Sequence, residues 1–382
     1  MKVLGVEFAP LNVPFARRLE TLALTWHVLS IPAFCSTFMF CCALPPLWPI
    51  LILYIVYLLR DKSPFDGSAA RRYSPTFRSL RIWRYFAEYF PIKLHKTVDL
   101  EPSFVPVHDL DPPPYQTRMA RIWDVVWRLT FWWYYIFHPS SQPALQPTNR
   151  RYIFGYHPHG IIGMGAIGGL ATEGAGWSKL FPGIRLSTLT LSNQFMVPLY
   201  RDYLMALGIG SVAKSNCEAL LKQNQSICIV IGGAQESLLA RPGRMDLVLK
   251  KRKGFVKLAL EMGNTSLVPV IGFGENDLYE QVKNDEDSRL YKIQTFLKDL
   301  LGFTLPLMHA RGIFNYDVGI IPYRHPINIV VGSPIEVPHI PNPTIEDIDK
   351  YQDLYISHLE KLYEENRYKF SHKNPPELIL VE

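Results

Sequence analysis

The stretch Arg-Tyr-Ile-Phe-Gly-Tyr-His-Pro-His-Gly, residues 151 to 160, decides how the centre of this chain folds. Its aromatic and β-branched residues are typical of a short buried strand. Pro158 has no amide proton to offer a sheet, so the strand should end near His157. Two imidazoles, His157 and His159, therefore stand at a strand end. A side chain that titrates near neutrality can take a proton from an alcohol there.

The two histidines are expected to play different parts. Side chains alternate across a strand, so residues two apart would share a face, but the proline turn should separate these two. We predict that His159 is the base, because it lies nearer to the apolar run from Gly160 to Gly168, where a lipid chain could lie. His157 would then support the loop. A hydrogen-bonded core histidine is the alternative for each. No third ligand stands at a recognisable spacing, so no metal is predicted.

From Arg151 onwards, short apolar segments alternate with helical ones. Strands are predicted at Tyr152–Tyr156, Leu186–Leu191, Ile227–Ile231, Leu267–Phe273 and Ile327–Val331. Helices are predicted at Tyr200–Ala206, Ser215–Lys222 and Gly254–Met262. Thr344 and Asp347 could cap a final helix that packs on the same domain through one apolar face. This alternation predicts an α/β fold with helices covering a sheet.

The N-terminal part of the chain is unusually apolar. The chain is 48% hydrophobic and 19% charged, and no Asp, Glu, Lys or Arg occurs from Leu22 to Leu59. That run is about twice the roughly 20 residues that a spanning helix requires, and prolines interrupt it. With basic residues on both flanks, we predict a membrane hairpin with both ends in the cytosol. A cleaved signal peptide and a buried helical pair are the alternatives.

Residues 63–150 are rich in Pro, Trp, Tyr and Arg. The aromatic run from Ile122 to Phe137 is interpreted either as a helix at the membrane interface or as an aromatic core helix. The five cysteines form no disulfide framework. The net charge of +6 is modest, and no nucleic-acid module is present, so nucleic acid is not expected as a partner.

The strand Ile227–Ile231 leads into a second group of candidate residues. Gly-Gly-Ala-Gln-Glu-Ser follows it and carries Glu236 and Ser237. In a parallel sheet these side chains would reach the edge that holds the histidines, where Glu236 could orient an imidazole and Ser237 or backbone amides could hold an oxyanion. A helix-end charge is the alternative for Glu236. The serine-hydrolase elbow and the dinucleotide and P-loop patterns are absent or incomplete.

Several further side chains are candidates for binding a substrate. Cations that could meet phosphate groups follow the second motif and precede the helix Gly254–Met262. The candidate binding residues are Gly160, Asn193, Arg201, Arg241 and Lys253.

Five motifs occur in an order that resembles a known family. They are Trp83 to Pro91 (Trp-Arg-Tyr-Phe-Ala-Glu-Tyr-Phe-Pro), Tyr156 to Gly160, Gly232 to Leu238 (Gly-Gly-Ala-Gln-Glu-Ser-Leu), Arg252 to Leu260 (Arg-Lys-Gly-Phe-Val-Lys-Leu-Ala-Leu) and Val268 to Asn276 (Val-Pro-Val-Ile-Gly-Phe-Gly-Glu-Asn). Together they resemble the fungal branch of the type-2 diacylglycerol acyltransferases, a family that includes monoacylglycerol acyltransferases and wax synthases. The resemblance covers roughly residues 55–335.

The resemblance implies a mixed sheet of the glycerolipid-acyltransferase kind with flanking helices. It also implies an enzyme of the endoplasmic reticulum and lipid droplet that transfers an acyl chain from acyl-CoA to diacylglycerol. The family's essential histidines correspond to His157 and His159. The wider glycerolipid acyltransferases use His-x-x-x-x-Asp, but Ile162 and Met164 stand at that spacing here. The assisting carboxylate is therefore expected from Glu236 first and Glu173 second.

The resulting division of the chain is a membrane anchor (1–62), an interfacial segment (63–150), an acyltransferase domain (151–340) and a C-terminal helix with its tail (341–382). The expected partners are acyl-CoA as co-substrate, diacylglycerol and membrane lipid, with no further cofactor and a possible homo-oligomer. Monoacylglycerol and fatty alcohol are the alternative acceptors. A non-enzymatic lipid-binding protein of the lipid droplet is the alternative of another class.

Overall fold

The computed structural model describes residues 2–3, 6–10, 12–106, 145–281, 308–371 and 375–381. The aromatic run from Ile122 to Phe137, predicted as an interfacial or core helix, lies outside these ranges.

A seven-stranded sheet forms the centre of the described structure. Its strands are β1 (Lys93–Lys96), β2 (Arg151–His157), β3 (Leu186–Thr190), β4 (Gly210–Ser211), β5 (Ser226–Val230), β6 (Thr265–Phe273) and β7 (Asn328–Val331). They lie in the order β1-β7-β6-β2-β5-β3-β4. All neighbours are parallel except β6 and β7, so the sheet is mixed, as expected.

The five predicted strands are confirmed, with ends that move by up to two residues. The structure adds β1 and β4 at the two edges of the sheet. β1 reads Lys-Leu-His-Lys and β4 spans only two residues, so neither carries the apolar run that indicates a buried strand. Pairing with β7 and β3, rather than local sequence, makes these segments strands.

The helices that surround the sheet are α1 (Phe15–Val28), α2 (Ser30–Cys42), α3 (Trp48–Arg60), α4 (Ala69–Arg72), α5 (Pro75–Arg78), α6 (Arg81–Tyr89), α7 (Trp177–Leu180), α8 (Tyr200–Ala206), α9 (Lys214–Lys222), α10 (Gly233–Ser237), α11 (Gly254–Met262) and α12 (Ile345–Phe370). Ala166–Ala171 is a π-helix, and short 3₁₀ turns span Pro45–Leu47, Ser192–Met196 and Glu275–Asp277. Two-stranded pairs join Lys2–Val3 to Val6–Glu7, Phe104–Pro106 to Leu145–Pro147, Met245–Val248 to Leu378–Val381 and Glu280–Gln281 to Met308–His309.

The two faces of the sheet pack against different helices. On β2, Tyr152, Phe154 and Tyr156 point into a core that includes α6 and the π-helix. Ile153 points the other way, into a core built with α9, α11 and α12. This period of two is the ordinary consequence of strand geometry. It sends His157 toward α12.

The final helix, α12, begins as predicted. Thr344 accepts from the backbone of Asp347, and the Asp347 carboxylate accepts from the backbone of Thr344 in return, which is a capping box. Its apolar face is buried against the sheet through Tyr355, Leu359 and Tyr363. The prediction that this helix packs on the main domain is confirmed.

The apolar N-terminal run, predicted as a membrane hairpin, divides into three helices, α1, α2 and α3. No helix in the described part of the chain is by itself both long and apolar enough to cross a bilayer; α1 and α2 together meet those limits but are bent by 65° relative to each other. α1 begins at Phe15, before the apolar run that starts at Leu22. Its Ala23 and Leu24 are buried in the main core.

Candidate functional site

Three neighbouring parallel strands end at one edge of the sheet and form the candidate site there. β2 ends at His157, β5 runs into the loop before Glu236, and β6 runs into Glu275. The pairing of β2 with both β5 and β6 is parallel, so their carboxyl ends coincide. The prediction that Glu236 reaches the edge that holds the histidines is therefore confirmed.

His157 is fully buried and bonded to the C-terminal helix. Its Nε2 lies 3.0 Å from the hydroxyl of Tyr355, which also donates to the carbonyl of Gly155 over 3.3 Å. A side chain at position 155 would collide with the Tyr355 hydroxyl at 2.1 Å, so glycine is required for this contact. Since the tyrosine proton goes to Gly155, His157 donates from Nε2 and its Nδ1 carries the lone pair.

The surroundings of His157 keep its ring neutral. Burial lowers the pKa of His157 from 6.5 to about 3. Its Nδ1 is buried and has no hydrogen-bond partner among the described residues. The ring therefore braces β2 against α12.

His159 is half-buried and held in one tautomer. Its Nδ1 lies 2.9 Å from the carbonyl oxygen of Gly160. A carbonyl can only accept, so Nδ1 carries the proton and Nε2 carries the lone pair. Burial lowers the pKa of His159, the Gly160 bond opposes this shift, and the charge of Arg252 adds to it. A neutral imidazole with a free Nε2 can accept a proton.

Glu236 is buried and contacts backbone rather than an imidazole. Its Oε1 accepts from the amide of His159 at 2.5 Å, and its Oε2 accepts from the amide of Val248 at 2.8 Å. Burial raises the pKa of Glu236 to about 7, against these two bonds. A side chain at Gly232 would lie 2.1 Å from Oε2, so glycine makes room for the carboxylate. Glu236 therefore fixes the position of His159 through the main chain.

Glu275 is a second buried carboxylate that the sequence analysis did not select. Its Oε2 accepts from the hydroxyl of Tyr156 at 2.7 Å and from the amide of Gly165 at 2.9 Å. Its Oε1 has no partner among the described residues, and a side chain at Gly160 would lie 3.1 Å from it. Burial raises the pKa of Glu275 to about 7. The sequence held one sign that Glu275 could be part of the site: it directly follows the Gly-Phe-Gly at which β6 ends.

The glycine-rich run after the histidines is not an open apolar surface, and that prediction is wrong. From Gly163 to Gly168 the backbone is buried apart from partial exposure at Ile167, and the run leads into the π-helix. A side chain at Gly168 would lie 2.4 Å from Ile92. The glycines allow the π-helix to approach the core closely, and only Ile162 of the run is well exposed.

Most of the other candidate residues have partners that hold them in place. The hydroxyl of Ser237 donates to the carbonyl of Ala234 at 2.9 Å. Lys253 pairs with Asp349 on α12, and Arg201 pairs with Asp61 at 2.6 Å. Asn193 lies half-buried in a 3₁₀ turn, and Arg241 is half-buried with an unpartnered Nε. Glu173 accepts from Ser178 and lies 3.8 Å from Arg78.

Arg252 is a cation beside the histidine that the candidate residues omitted. It is exposed, and its guanidinium donates to the carbonyl of Gly232 at 3.3 Å. Its charge acts on both His159 and Glu236. Residues 250–253 are all basic, and their sequence does not tell them apart. The fold places Arg252 near the histidine and pairs Lys253 with Asp349.

Comparisons with known proteins show which family this chain resembles. The family model described as diacylglycerol acyltransferase matches residues 38–112 and 107–381. Diacylglycerol O-acyltransferase 1 of Eremothecium gossypii is 46% identical, covering 100% of this chain and 83% of the relative. The protein of the same name from Saccharomyces cerevisiae is 47% identical, covering 94% and 86%. 2-acylglycerol O-acyltransferase 1 of Bos taurus is 40% identical, covering 96% of each. No solved structure matches significantly.

Proposed function

This chain belongs to the diacylglycerol acyltransferase family, and we propose that it makes triacylglycerol by transferring an acyl group from acyl-CoA to diacylglycerol. The observation that carries the proposed chemistry is the state of His159. Its Nδ1 donates a hydrogen bond to the carbonyl of Gly160, and its Nε2 lone pair has no partner among the described residues. The pKa of His159 is lowered. Such a group suits the removal of a proton from an alcohol at neutral pH.

In the proposed reaction, Nε2 of His159 takes the proton of the free hydroxyl of diacylglycerol. The oxygen attacks the thioester carbon, and the resulting tetrahedral species collapses with loss of the sulfur. His159 then returns the proton to the thiolate of CoA. One ester and one thiol are formed, and no acyl-enzyme is needed. Acyl-CoA is the co-substrate, with no further cofactor.

We assign the supporting roles from the contacts of each residue. Glu236 positions His159 by holding its amide. The Ser237 hydroxyl donates to a backbone carbonyl, so the amides of the glycine-rich loop and the cation of Arg252 are better placed to stabilise the oxyanion. Arg241 has an unpartnered Nε and is the candidate for a CoA phosphate. Lys253 and Arg201 are held in ion pairs with Asp349 and Asp61, so we give them no part in binding the substrate.

We further propose that the protein acts at a membrane with its active site facing the cytosol. The helices α2 and α3 carry no acidic residue and expose Met39, Phe40 and Leu53. These apolar surfaces suit a hairpin inserted from the cytosolic side of the endoplasmic reticulum and, later, of the lipid droplet. Tags at both ends should be digested by protease in sealed microsomes. A protected tag at either end would exclude the hairpin.

The activity is tested in membranes from yeast cells that lack their own triacylglycerol synthesis. Labelled acyl-CoA is supplied with diacylglycerol, monoacylglycerol or fatty alcohol, each in a separate reaction. Labelled triacylglycerol from diacylglycerol, lost in His159→Ala, is the expected result. No product from any acceptor, with the protein folded and in the membrane, would leave the lipid-binding function as the better account.

Monoacylglycerol is the second candidate acceptor, favoured by the similarity to the Bos taurus 2-acylglycerol O-acyltransferase. The two acceptors differ by one acyl group, so the same histidine can serve both. The ratio of kcat/KM for the two acceptors decides between them.

A further inference from the structure

A large cavity lies away from the histidines, between the N-terminal segment and the loop that precedes β7. Its volume is about 1460 Å³, above the roughly 300–1,000 Å³ of ordinary small-ligand pockets. None of the candidate catalytic residues lines it. A lipid is the class of ligand that fits a space of this size.

Two backbone contacts build one wall of this cavity. The amide of Ala9 donates to the carbonyl of Phe314 at 2.9 Å, and the amide of Tyr316 donates to the carbonyl of Glu7 at 2.8 Å. The start of α1 supplies the facing side. Residues distant in sequence are thus held around one space by the fold.

The lining carries a strong excess of positive charge. Arg17, Arg18, Arg311 and Arg324 line the cavity, and no acidic residue in the described part of the chain does. The buried Glu20 pairs with Arg17 at 3.1 Å and also with Arg324, which offsets one of the four charges. A ligand with an anionic group would complement this excess of positive charge, and a neutral ligand would not.

Two of these cations are held in place by aromatic rings. The guanidinium of Arg324 lies 3.9 Å from the ring centre of Tyr89, and that of Arg311 lies 4.7 Å from the ring centre of Tyr316. A guanidinium matches a phosphate with paired donors in a fixed geometry. These two guanidinium groups are therefore held in fixed positions at the cavity before a ligand binds.

Apolar side chains, several of them well exposed, also line and surround the cavity. Leu22 and Phe314 line the cavity with 64% and 75% of their surfaces exposed, and Val318 nearby is 54% exposed. Exposed apolar residues next to arginines are typical of a surface that meets the headgroup region of a membrane. A membrane lipid can present its phosphate and its chains to such a site together.

We propose that this cavity binds a membrane phospholipid with an anionic phosphate headgroup, with the phosphate at the four arginines and the acyl chains along the apolar lining. The bound lipid is not the acyl acceptor, since diacylglycerol carries no charge. The site makes the membrane's anionic lipid a ligand of the enzyme, independently of the reaction assigned to His159.

The test measures saturable binding of labelled phosphatidate to the full-length protein in mixed detergent micelles. The double variant Arg17→Gln/Arg18→Gln removes two charges and leaves Glu20 paired with Arg324. Because each basic residue near a lipid surface contributes about 1 kcal/mol, we expect the half-saturating mole fraction to rise about 30-fold. Thr25→Phe fills the cavity without changing its charge and should also weaken binding strongly, with the thermal midpoint reporting its fold.

The matched control is Arg60→Gln/Arg71→Gln, which removes two exposed arginines outside the cavity. It should bind phosphatidate as the unaltered protein does. An equal loss in this control would mean general attraction to the headgroups and would overturn the site.

Competing lipids distinguish the occupants. Phosphatidylcholine and diacylglycerol should compete at least about 10-fold less well than phosphatidate, as should oleate, whose carboxylate is the other anionic lipid group. Equal competition by diacylglycerol would make the cavity an acceptor site, and equal competition by oleate would remove the phosphate assignment. Binding that persists in His159→Ala supports the site whatever the outcome of the acyl-transfer assay.

Discussion

His157 and His159 flank one proline yet meet opposite surroundings. His157 is fully buried, bonded to Tyr355 of α12, and has its pKa lowered to about 3. His159 is half-buried, and among the described residues only its Nδ1 has a protein partner. The period of two along β2 sends the first ring into the core, and the turn at Pro158 releases the second. One histidine braces the sheet against a helix, while the other is free to exchange protons.

Two buried carboxylates lie near His159 and contact the main chain around it. Glu236 and Glu275 are both buried, and burial raises the pKa of each to about 7. Glu236 holds the amide of His159, and Glu275 lies against Gly160, whose carbonyl holds the His159 ring. Neither contacts an imidazole directly. The half-exposed ring is thus positioned through backbone groups.

The largest difference between the two histidines should appear on replacement by alanine. His159→Ala removes the proposed base, so turnover should fall by about 10²- to 10⁴-fold with the thermal midpoint nearly unchanged. His157→Ala should lower the thermal midpoint more than turnover per folded molecule. His339→Ala, at an exposed histidine, controls for loss of an imidazole. A stable, inactive His157→Ala beside an unstable, active His159→Ala would reverse the two roles.

Glu236→Gln sharpens the comparison by loosening His159 without removing it. The carboxylate accepts two amide bonds, but glutamine has only one acceptor oxygen, so one buried amide loses its partner at a cost of about 1–3 kcal/mol. We expect turnover to fall about 10- to 100-fold, together with the thermal midpoint. Glu360→Gln on the exposed face of α12 is the control. Wild-type stability with lost activity would instead indicate a direct role in proton transfer.

Much of this arrangement could be predicted from local sequence, because its signals are local. The apolar run before Pro158 gave the strand, and the proline between the histidines predicted that their rings would separate. Glu236 was found because it follows a strand that could be parallel to β2. These inferences need only the period of a strand and the rule that parallel strands end at one edge.

The contacts that distinguish the histidines could not be predicted, because they join distant parts of the chain. Tyr355 lies on the apolar face through which the final helix was expected to pack, but nothing local relates it to His157, 198 residues away. The glycine run was interpreted as a surface for a lipid chain because it is apolar and carries few bulky side chains. Only the packing of Ile92 against Gly168 shows that the missing side chains allow close approach.

Tyr355→Phe tests the bracing role with the ring of His157 intact. Loss of the hydroxyl leaves the buried Nε2 proton of His157 without an acceptor, which should cost about 1–3 kcal/mol of stability. Turnover per folded molecule should fall only a few-fold, since His159 keeps its own contacts. Tyr351→Phe, half-buried on the same helix, is the matched control for a lost hydroxyl. A loss of turnover as large as that of His159→Ala would contradict the division of roles.

The last prediction concerns pH, to which the stabilities contributed by His157 and Glu275 should respond in opposite directions. His157 has a lowered pKa in the folded state, so its contribution to stability is present above pH 6.5 and is lost as pH falls toward 3. Glu275 has a raised pKa, so its contribution is present below pH 4.5 and is lost as pH rises through about 7.

Glu275→Gln removes only the pH dependence that Glu275 contributes. Relative to wild type, the variant should therefore gain stability as pH rises from 4.5 to 7, by up to about 1.4 kcal/mol per pH unit. Thermal midpoints of both proteins across that range measure it. If the difference in thermal midpoint between the two proteins does not change with pH, Glu275 is already ionised in the folded protein across this range. The backbone near His159 would then be held by a buried charged carboxylate.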